Sequence, residues 1–236
     1  MGKINLCIDI GNTSTKAAVY SNGEEVDYIK PFTADHLKEL RQKNEVEILV
    51  SKTGSNPDLE ELLAEGDYLS HQTPLPIGLD YETPQTLGRD RIATAVAAHT
   101  MNSNCAWLII DLGTCLTIDL LHNDTFYGGL ISPGVPMRLK AMNEFTAGLP
   151  LVDYNYDIQF PGKTTEESLQ VGVCQSIFYE IKGYIRQMNV QFNDLKIVDC
   201  SSVKLHFDKE VKNEIFARPK LVVQGLNNII EYNAKK

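Results

Sequence analysis

The chain has no basic excess. Its 22 Lys and Arg stand against 31 Asp and Glu, a formal net charge of −9. Without a surplus of cations to displace counterions, electrostatic binding to nucleic acid or to an anionic membrane surface is excluded. Phosphate binding is not, because a site can be built from backbone N–H groups, a few local bases and metal ions. Cysteine is sparse as well. Cys7, Cys105, Cys115, Cys174 and Cys200 fall at unrelated spacings with no C-x-x-C pair, which excludes a disulfide framework or a zinc cluster. Cys7 and Cys115 lie in apolar runs and read as small buried hydrophobes in a reducing compartment. No apolar stretch nears the roughly 20 residues that span a bilayer. The opening MGKINLCIDI is too short and too quickly acidic for a signal peptide, and Leu6 stands where a myristoylation motif wants Ser or Thr. The expectation is a soluble, cytoplasmic protein. His36, His71, His99, His122 and His206 are scattered and form no ligand pair.

What is present fits a globular α/β protein. The 236 residues are 43% hydrophobic and 22% charged, ordinary values, and their number corresponds to about 1.6 domains. No Pro/Gly/Ser-rich linker divides them. Asp9-Ile10-Gly11-Asn12-Thr13-Ser14-Thr15 returns 102 positions later as Asp111-Leu112-Gly113-Thr114-Cys115-Leu116-Thr117. Short β-rich runs lead into each copy (4–8 and 107–110) and out of it (16–20 and 117–121), so each reads as strand, tight Gly turn, strand. Further strands are expected at 24–29, 47–51, 126–131 and 196–198. Helices are expected at 35–43, after Asn56-Pro57, at 91–101, from Pro133-Gly134 to about 146, at 177–188 and at 221–232. The chain divides into two α/β lobes, 1–101 and 102–236, each opening with a hairpin.

A carboxylate at a strand end, then Gly, an amide and hydroxyls, concentrates groups for anions and cations. Gly11 lets backbone approach a ligand closely, neighbouring N–H groups can cradle phosphate oxygens, and Lys16 adds charge. Asp9 suits a hydrated Mg²⁺ that bridges phosphates. The competing reading is a plain turn made of good turn residues; recurrence of Asp, Gly and hydroxyl in each half favours the phosphate reading. Neither a G-x-x-x-x-G-K-[ST] loop nor a G-x-G-x-x-G after a strand is present. Gly88-Arg89-Asp90-Arg91 opens a helix. It reads either as a helix cap with solvent-facing arginines, or as a carboxylate base for a hydroxyl substrate with an arginine beside it. Tyr81 lies seven residues upstream of Gly88. Gly128-Gly129 and Pro133-Gly134 suggest close backbone approach and a helix N-terminus open to anions. Thr164 and Glu167 fit a capping box, which leaves Thr165 available.

The succession D-I-G-N-T (Asp9–Thr13), G-R-D-R (Gly88–Arg91), D-L-G-T-x-x-T-x-D (Asp111–Asp119), G-G-x-I-x-P-G (Gly128–Gly134), Thr146–Pro150 and Gly162–Thr165 resembles type III pantothenate kinase, the Bvg accessory factor family. The resemblance implies an actin-like, sugar-kinase-type fold of two ribonuclease-H-like lobes around a nucleotide cleft, assembled as a homodimer. It implies ATP-dependent phosphorylation of pantothenate to 4'-phosphopantothenate, the first step towards coenzyme A. Asp9, Ile10, Gly11, Asn12, Thr13, Ser14, Thr15, Lys16 and Thr114 would then bind ATP, and Asp111 a monovalent cation, K⁺ or NH₄⁺, beside Mg²⁺. Asp90 would accept the proton. Tyr81, Gly88, Arg89, Asp90, Arg91 and Thr165 would line the pantothenate site. The family's Thr-Gly-Gly turn near the nucleoside is replaced by Asp199-Cys200-Ser201-Ser202. The alternatives are a non-catalytic nucleotide-binding regulatory protein of the same fold, and a kinase for another small hydroxylated substrate such as a sugar.

Overall fold

The computed structural model describes residues 2–201 and 215–236; Ser202 and His206 lie outside them. The described chain forms two compact units. One comprises Met1–Asn104, Leu121–Gly128 and Lys220–Lys236; the other comprises Cys105–Leu120 and Gly129–Pro219.

The first unit is built on a sheet of β1 (Lys3–Ile10), β2 (Thr15–Ser21), β3 (Glu24–Ile29) and β4 (Glu45–Lys52), in the order β3-β2-β1-β4. β2 runs antiparallel to β1, and β4 parallel to it. The period of two along β1 decides what each face does. Ile4, Leu6, Ile8 and Ile10 join Leu37 of α1 (Ala34–Lys43) and Leu59 of α2 (Pro57–Glu60) in one core. Asn5, Cys7 and Asp9 point the other way, where Asn5 Nδ2 donates to Asn227 Oδ1 at 2.9 Å. Asn227 belongs to the closing helix, Leu221–Ala234. That helix packs on α3 (Arg89–Met101), which is buried continuously from Arg91 to Ala98. Its run of small residues permits close contact: a Cβ on Gly225 would fall on the Ala93 carbonyl. Asp9 therefore shares its sheet face with the helix that carries Asp90.

α3 begins at Arg89, two residues before the expected start, with Gly88 as its cap residue and no side-chain cap. Asp90 thus sits in the first helical turn. β5 (Gly78–Leu79), unseen in the sequence because it is only two residues long, pairs in parallel with Thr125–Phe126.

The second sheet repeats the scheme, with Leu121–Gly128 of its strands counted in the first unit. β6 (Trp107–Leu112), β7 (Cys115–His122), β8 (Thr125–Pro133), β9 (Lys196–Asp199) and β10 (Ile215–Ala217) lie in the order β10-β9-β6-β7-β8, with β9 parallel to β6. The order β8-β7-β6-β9 matches β3-β2-β1-β4, so the sequence echo marks a repeated topology. Leu108, Ile110, Leu116 and Ile118 meet α4 (Val135–Glu144), α5 (Thr165–Gln170) and α6 (Ser176–Gln191) in a second core. The α6 stripe is buried at Ile177, Ile181 and Ile185, but Tyr184, expected in it, is 39% exposed. A π-turn at Val171–Gln175 precedes α6. Gly128 and Gly129 lie inside β8. None of the five cysteines is in a disulfide; Cys7 is buried, and Cys115 is half-buried.

Candidate active site

In the first unit the β1–β2 hairpin holds its tip with a Gly11 N–H to Ser14 carbonyl bond of 3.3 Å. Asp9 and Lys16 face each other across the ladder, with Lys16 Nζ 3.2 Å from Asp9 Oδ2. Asp9 is only 5% exposed. Burial pushes its carboxyl above the ordinary value and Lys16 opposes the shift, while the Asp90 charge adds to it and Ser51, opposite on β4, works against it. Ile10 turns its side chain into the core, so only its backbone can serve a ligand, whereas Asn12 and Thr13 are exposed. Thr15 is buried and its hydroxyl accepts from Asn56 Nδ2 at 3.0 Å, a bond that ties the hairpin to the start of α2.

Gly54 was not foreseen. Thr53 and Gly54 N–H groups donate to the Ile10 carbonyl at 2.9 and 2.8 Å, and a Cβ on Gly54 would strike the Gly11 backbone. Its only sequence signal was a small-residue run directly after a strand.

Asp90 joins this group through tertiary structure alone. Burial raises its pKa; the Arg91 N–H, which donates to Asp90 Oδ1 at 2.8 Å, and the charges of Arg91 and Lys16 lower it. Gly88 is required beside it, since a Cβ there would lie 2.5 Å from Asp90 Oδ1. The two flanking arginines differ. Arg89 donates to the Pro84 and Gln85 carbonyls at 3.1 and 2.9 Å, closing its own loop. Arg91 is buried, with its guanidinium carbon 5.8 Å from the centre of the Phe126 ring. Tyr81 stands on the other neighbour of that ring, 6.2 Å away. Gly128, at φ 83°, leaves room for Tyr81: a Cβ would lie 3.1 Å from its ring.

In the second unit Asp111 is the penultimate residue of β6, Gly113 N–H donates to the Cys115 carbonyl at 2.9 Å, and Thr114 is exposed. Gly134 presses on this loop as Gly54 does on the first: its N–H donates to the Thr114 carbonyl at 3.0 Å, and a Cβ would overlap the carbonyls of Gly113 and Thr114. Arg138 braces that turn by donating to the Pro133 carbonyl at 2.7 Å and to Ser132 Oγ at 2.8 Å, and pairs with Glu180 at 2.5 Å. Thr164 caps α5 by accepting from the Glu167 N–H, but Glu167 reaches back to the Lys163 N–H, one residue before the cap. Thr165 is exposed.

No group of three or more His, Cys, Asp or Glu that could hold a metal occurs among the described residues. A divalent ion at these loops would have to take most of its ligands from phosphates and water, which suits an ion that arrives with a nucleotide.

The family model for type III pantothenate kinase matches residues 5–187. The chain belongs to the type III pantothenate kinase family. A relative from Cytophaga hutchinsonii with that name is 37% identical over 235 residues, covering 98% of this chain and all of the relative. Two solved structures show the fold. A candidate 2-dehydro-3-deoxygalactonokinase from Sinorhizobium meliloti aligns with a TM-score of 0.61 at 10% identity, over 97% of this chain and 99% of that one. MreB5 of Spiroplasma citri bound to ADP aligns with a TM-score of 0.51 at 12% identity, over 99% and 98%. The fold is the actin-like, sugar-kinase type expected from the sequence. Among the described residues no helix is long and apolar enough to cross a membrane.

Proposed function

We propose that this family member phosphorylates pantothenate with ATP, the entry to coenzyme A synthesis, and that Asp90 accepts the proton. The observation that carries the role of Asp90 is its neighbourhood. A carboxylate in a helix's first turn shares an electrostatic site with Asp9 and Lys16 of the first Asp-x-Gly loop, 81 and 74 residues away in sequence. The substrate's primary hydroxyl loses its proton to Asp90, its oxygen bonds to the γ-phosphorus, and the bond to the bridging oxygen of the departing ADP breaks. Positioning and charge neutralisation do most of the work in such a transfer.

The loop Asp9–Lys16 and Thr114 bind ATP phosphates in this reading, with Mg²⁺ carried by the nucleotide and a monovalent cation, K⁺ or NH₄⁺, at Asp111. Tyr81, Gly88, Arg89, Asp90, Arg91 and Thr165 form the pantothenate site in this reading. Arg91, adjacent to Asp90 in the chain, supplies the cation for the pantothenate carboxylate in this reading, while Arg89 holds its own loop. A cytoplasmic homodimer is proposed. Ile131, Phe145, Phe160 and Val190 of the second unit, 65–85% exposed, supply apolar surface that a second copy can cover.

ADP release measured with pantothenate and with a panel of sugars, in K⁺ and in Na⁺, tests the reading. Turnover is expected with pantothenate only, and faster in K⁺. Turnover with a sugar alone, or none with pantothenate, would sink it, and equal rates in both salts would remove the cation from Asp111. In the same assay Arg91→Ala is expected to raise KM for pantothenate about 10-fold or more, as befits loss of a charge-assisted bond. Arg89→Ala should act chiefly on stability. The reverse pattern would reassign the carboxylate to Arg89.

A further inference from the structure

The second Asp-x-Gly loop is held by a device that the reading above does not use. β9 runs parallel to β6 with Ile110 opposite Asp199. Beyond that pair the Cys200 N–H donates to the Ile110 carbonyl at 2.9 Å. The next contact along the edge is made by a side chain. The Leu112 N–H donates to Ser201 Oγ at 2.8 Å. Ser201 in turn donates its hydroxyl proton to Asp199 Oδ1, which also accepts from the Ser201 N–H at 3.0 Å. Leu112 is 1% exposed and Ser201 9%.

Each partner is polarised in one direction. The Ser201 oxygen has one proton, which goes to the Asp199 carboxylate, so its lone pairs are left to receive the Leu112 N–H. Burial raises the Asp199 pKa, and the two bonds from Ser201 oppose the rise. Leu112 lies between Asp111 and Gly113, so the position of its peptide sets where the Asp111 carboxylate and the Gly113–Thr114 backbone stand.

We infer that Ser201, oriented by Asp199, is a positioning residue for the Asp111–Thr114 loop and thereby sets affinity for the nucleotide rather than for the acceptor substrate. The inference rests on the reading that this loop meets ATP phosphates. No ligand contact of Ser201 itself is needed. An N–H buried as deeply as that of Leu112 has no water to turn to if the hydroxyl is removed, so the loop must shift to satisfy it.

The test compares Ser201→Ala, Ser201→Thr and Asp199→Asn in the full-length enzyme by three readouts. These are amide exchange at Leu112 by NMR, the Kd of MgATP by calorimetry without pantothenate, and the two KM values. For Ser201→Ala, Leu112 exchange should accelerate and the Kd and KM for MgATP should each rise about 10-fold, the loss expected for one bond to a buried donor. KM for pantothenate should stay within about twofold. Ser201→Thr keeps the hydroxyl and should restore both properties, while Asp199→Asn keeps an acceptor oxygen and should fall between. Unchanged Leu112 exchange or unchanged MgATP affinity in Ser201→Ala overturns the inference. So does an equal rise in both KM values, or no rescue by Thr, which would make Ser201 a general stability residue. If the wild type binds MgATP but does not turn over pantothenate, the proposed reaction has failed instead, and the Kd comparison still decides the role of Ser201.

Discussion

Asp90→Asn is expected to lower kcat by about 10²–10⁴-fold, the usual contribution of a positioned base, with KM for ATP close to that of the wild type. The substitution keeps the size of the side chain and one oxygen for the Arg91 N–H, so the first turn of α3 should persist. What it removes is the proton acceptor and a negative charge beside Asp9 and Lys16. The pH profile supplies an independent check. Burial holds the Asp90 carboxyl above the ordinary range, with Arg91 and Lys16 pulling the other way. The base must be ionised to act, so kcat/KM should rise with pH through this pKa, forming the acidic limb of the profile. Asp90→Asn should abolish that limb. Near-normal kcat with the limb intact would remove Asp90 from proton transfer.

The second large effect is expected at a residue with no functional group. Gly54→Val should lower kcat/KM for ATP by about 10²-fold, the order associated with a misplacement of about 1 Å in a catalytic constellation. The φ of Gly54 is not in the left-handed region, so backbone strain is not the cause. Space is the cause. A Cβ there meets the Gly11 carbonyl and lies 2.9 Å from the Asn12 nitrogen, and backbone atoms cannot rotate aside as a flexible side chain would. The loop must move off its seat on β4, carrying the amides of Gly11 and Asn12 with it. Overpacking of this kind costs about 1–3 kcal/mol, which the core formed by Ile4, Leu6, Ile8 and Ile10 should withstand. Gly66→Val is the matched control, since nothing lies within 4 Å of a Cβ at Gly66. Wild-type ATP kinetics in Gly54→Val would show that the Gly11 loop does not hold the nucleotide.

Asp111 and Gly113 open the second loop as Asp9 and Gly11 open the first, yet their supports come from different parts of the chain. Gly54 follows the parallel strand β4, while Gly134 starts the helix after β8. The shared requirement is that backbone must rest on backbone. A side chain between the loop and its seat would occupy the volume that a phosphate-binding turn needs for its own peptide groups. Both supports are glycines for that reason, although the topology around them differs.

By itself the sequence determined the local chemistry and the repeat. Asp at a strand end, Gly in the turn and hydroxyls after it are specified within seven residues, because hairpin geometry depends on neighbours along the chain. Strand and helix periods likewise mark which residues of β1 and α6 enter a core, apart from Tyr184, which is 39% exposed. The family could also be read there, since its motifs keep their order. Only the tertiary structure decided which distant groups share a site. Asp90 lies near Asp9 because α3 packs on β4 and on the closing helix, which covers the face of β1 on which the odd-numbered residues emerge. Arg89 is held by the carbonyls of Pro84 and Gln85, whereas Arg91 is buried against Phe126. Gly54 and Ser201, unlike Gly134 with its Pro-Gly signal, carried little signal because their task is to fit or hold another segment's backbone. A residue whose work is done against a surface 40 or 90 positions away cannot be recognised from its own neighbours.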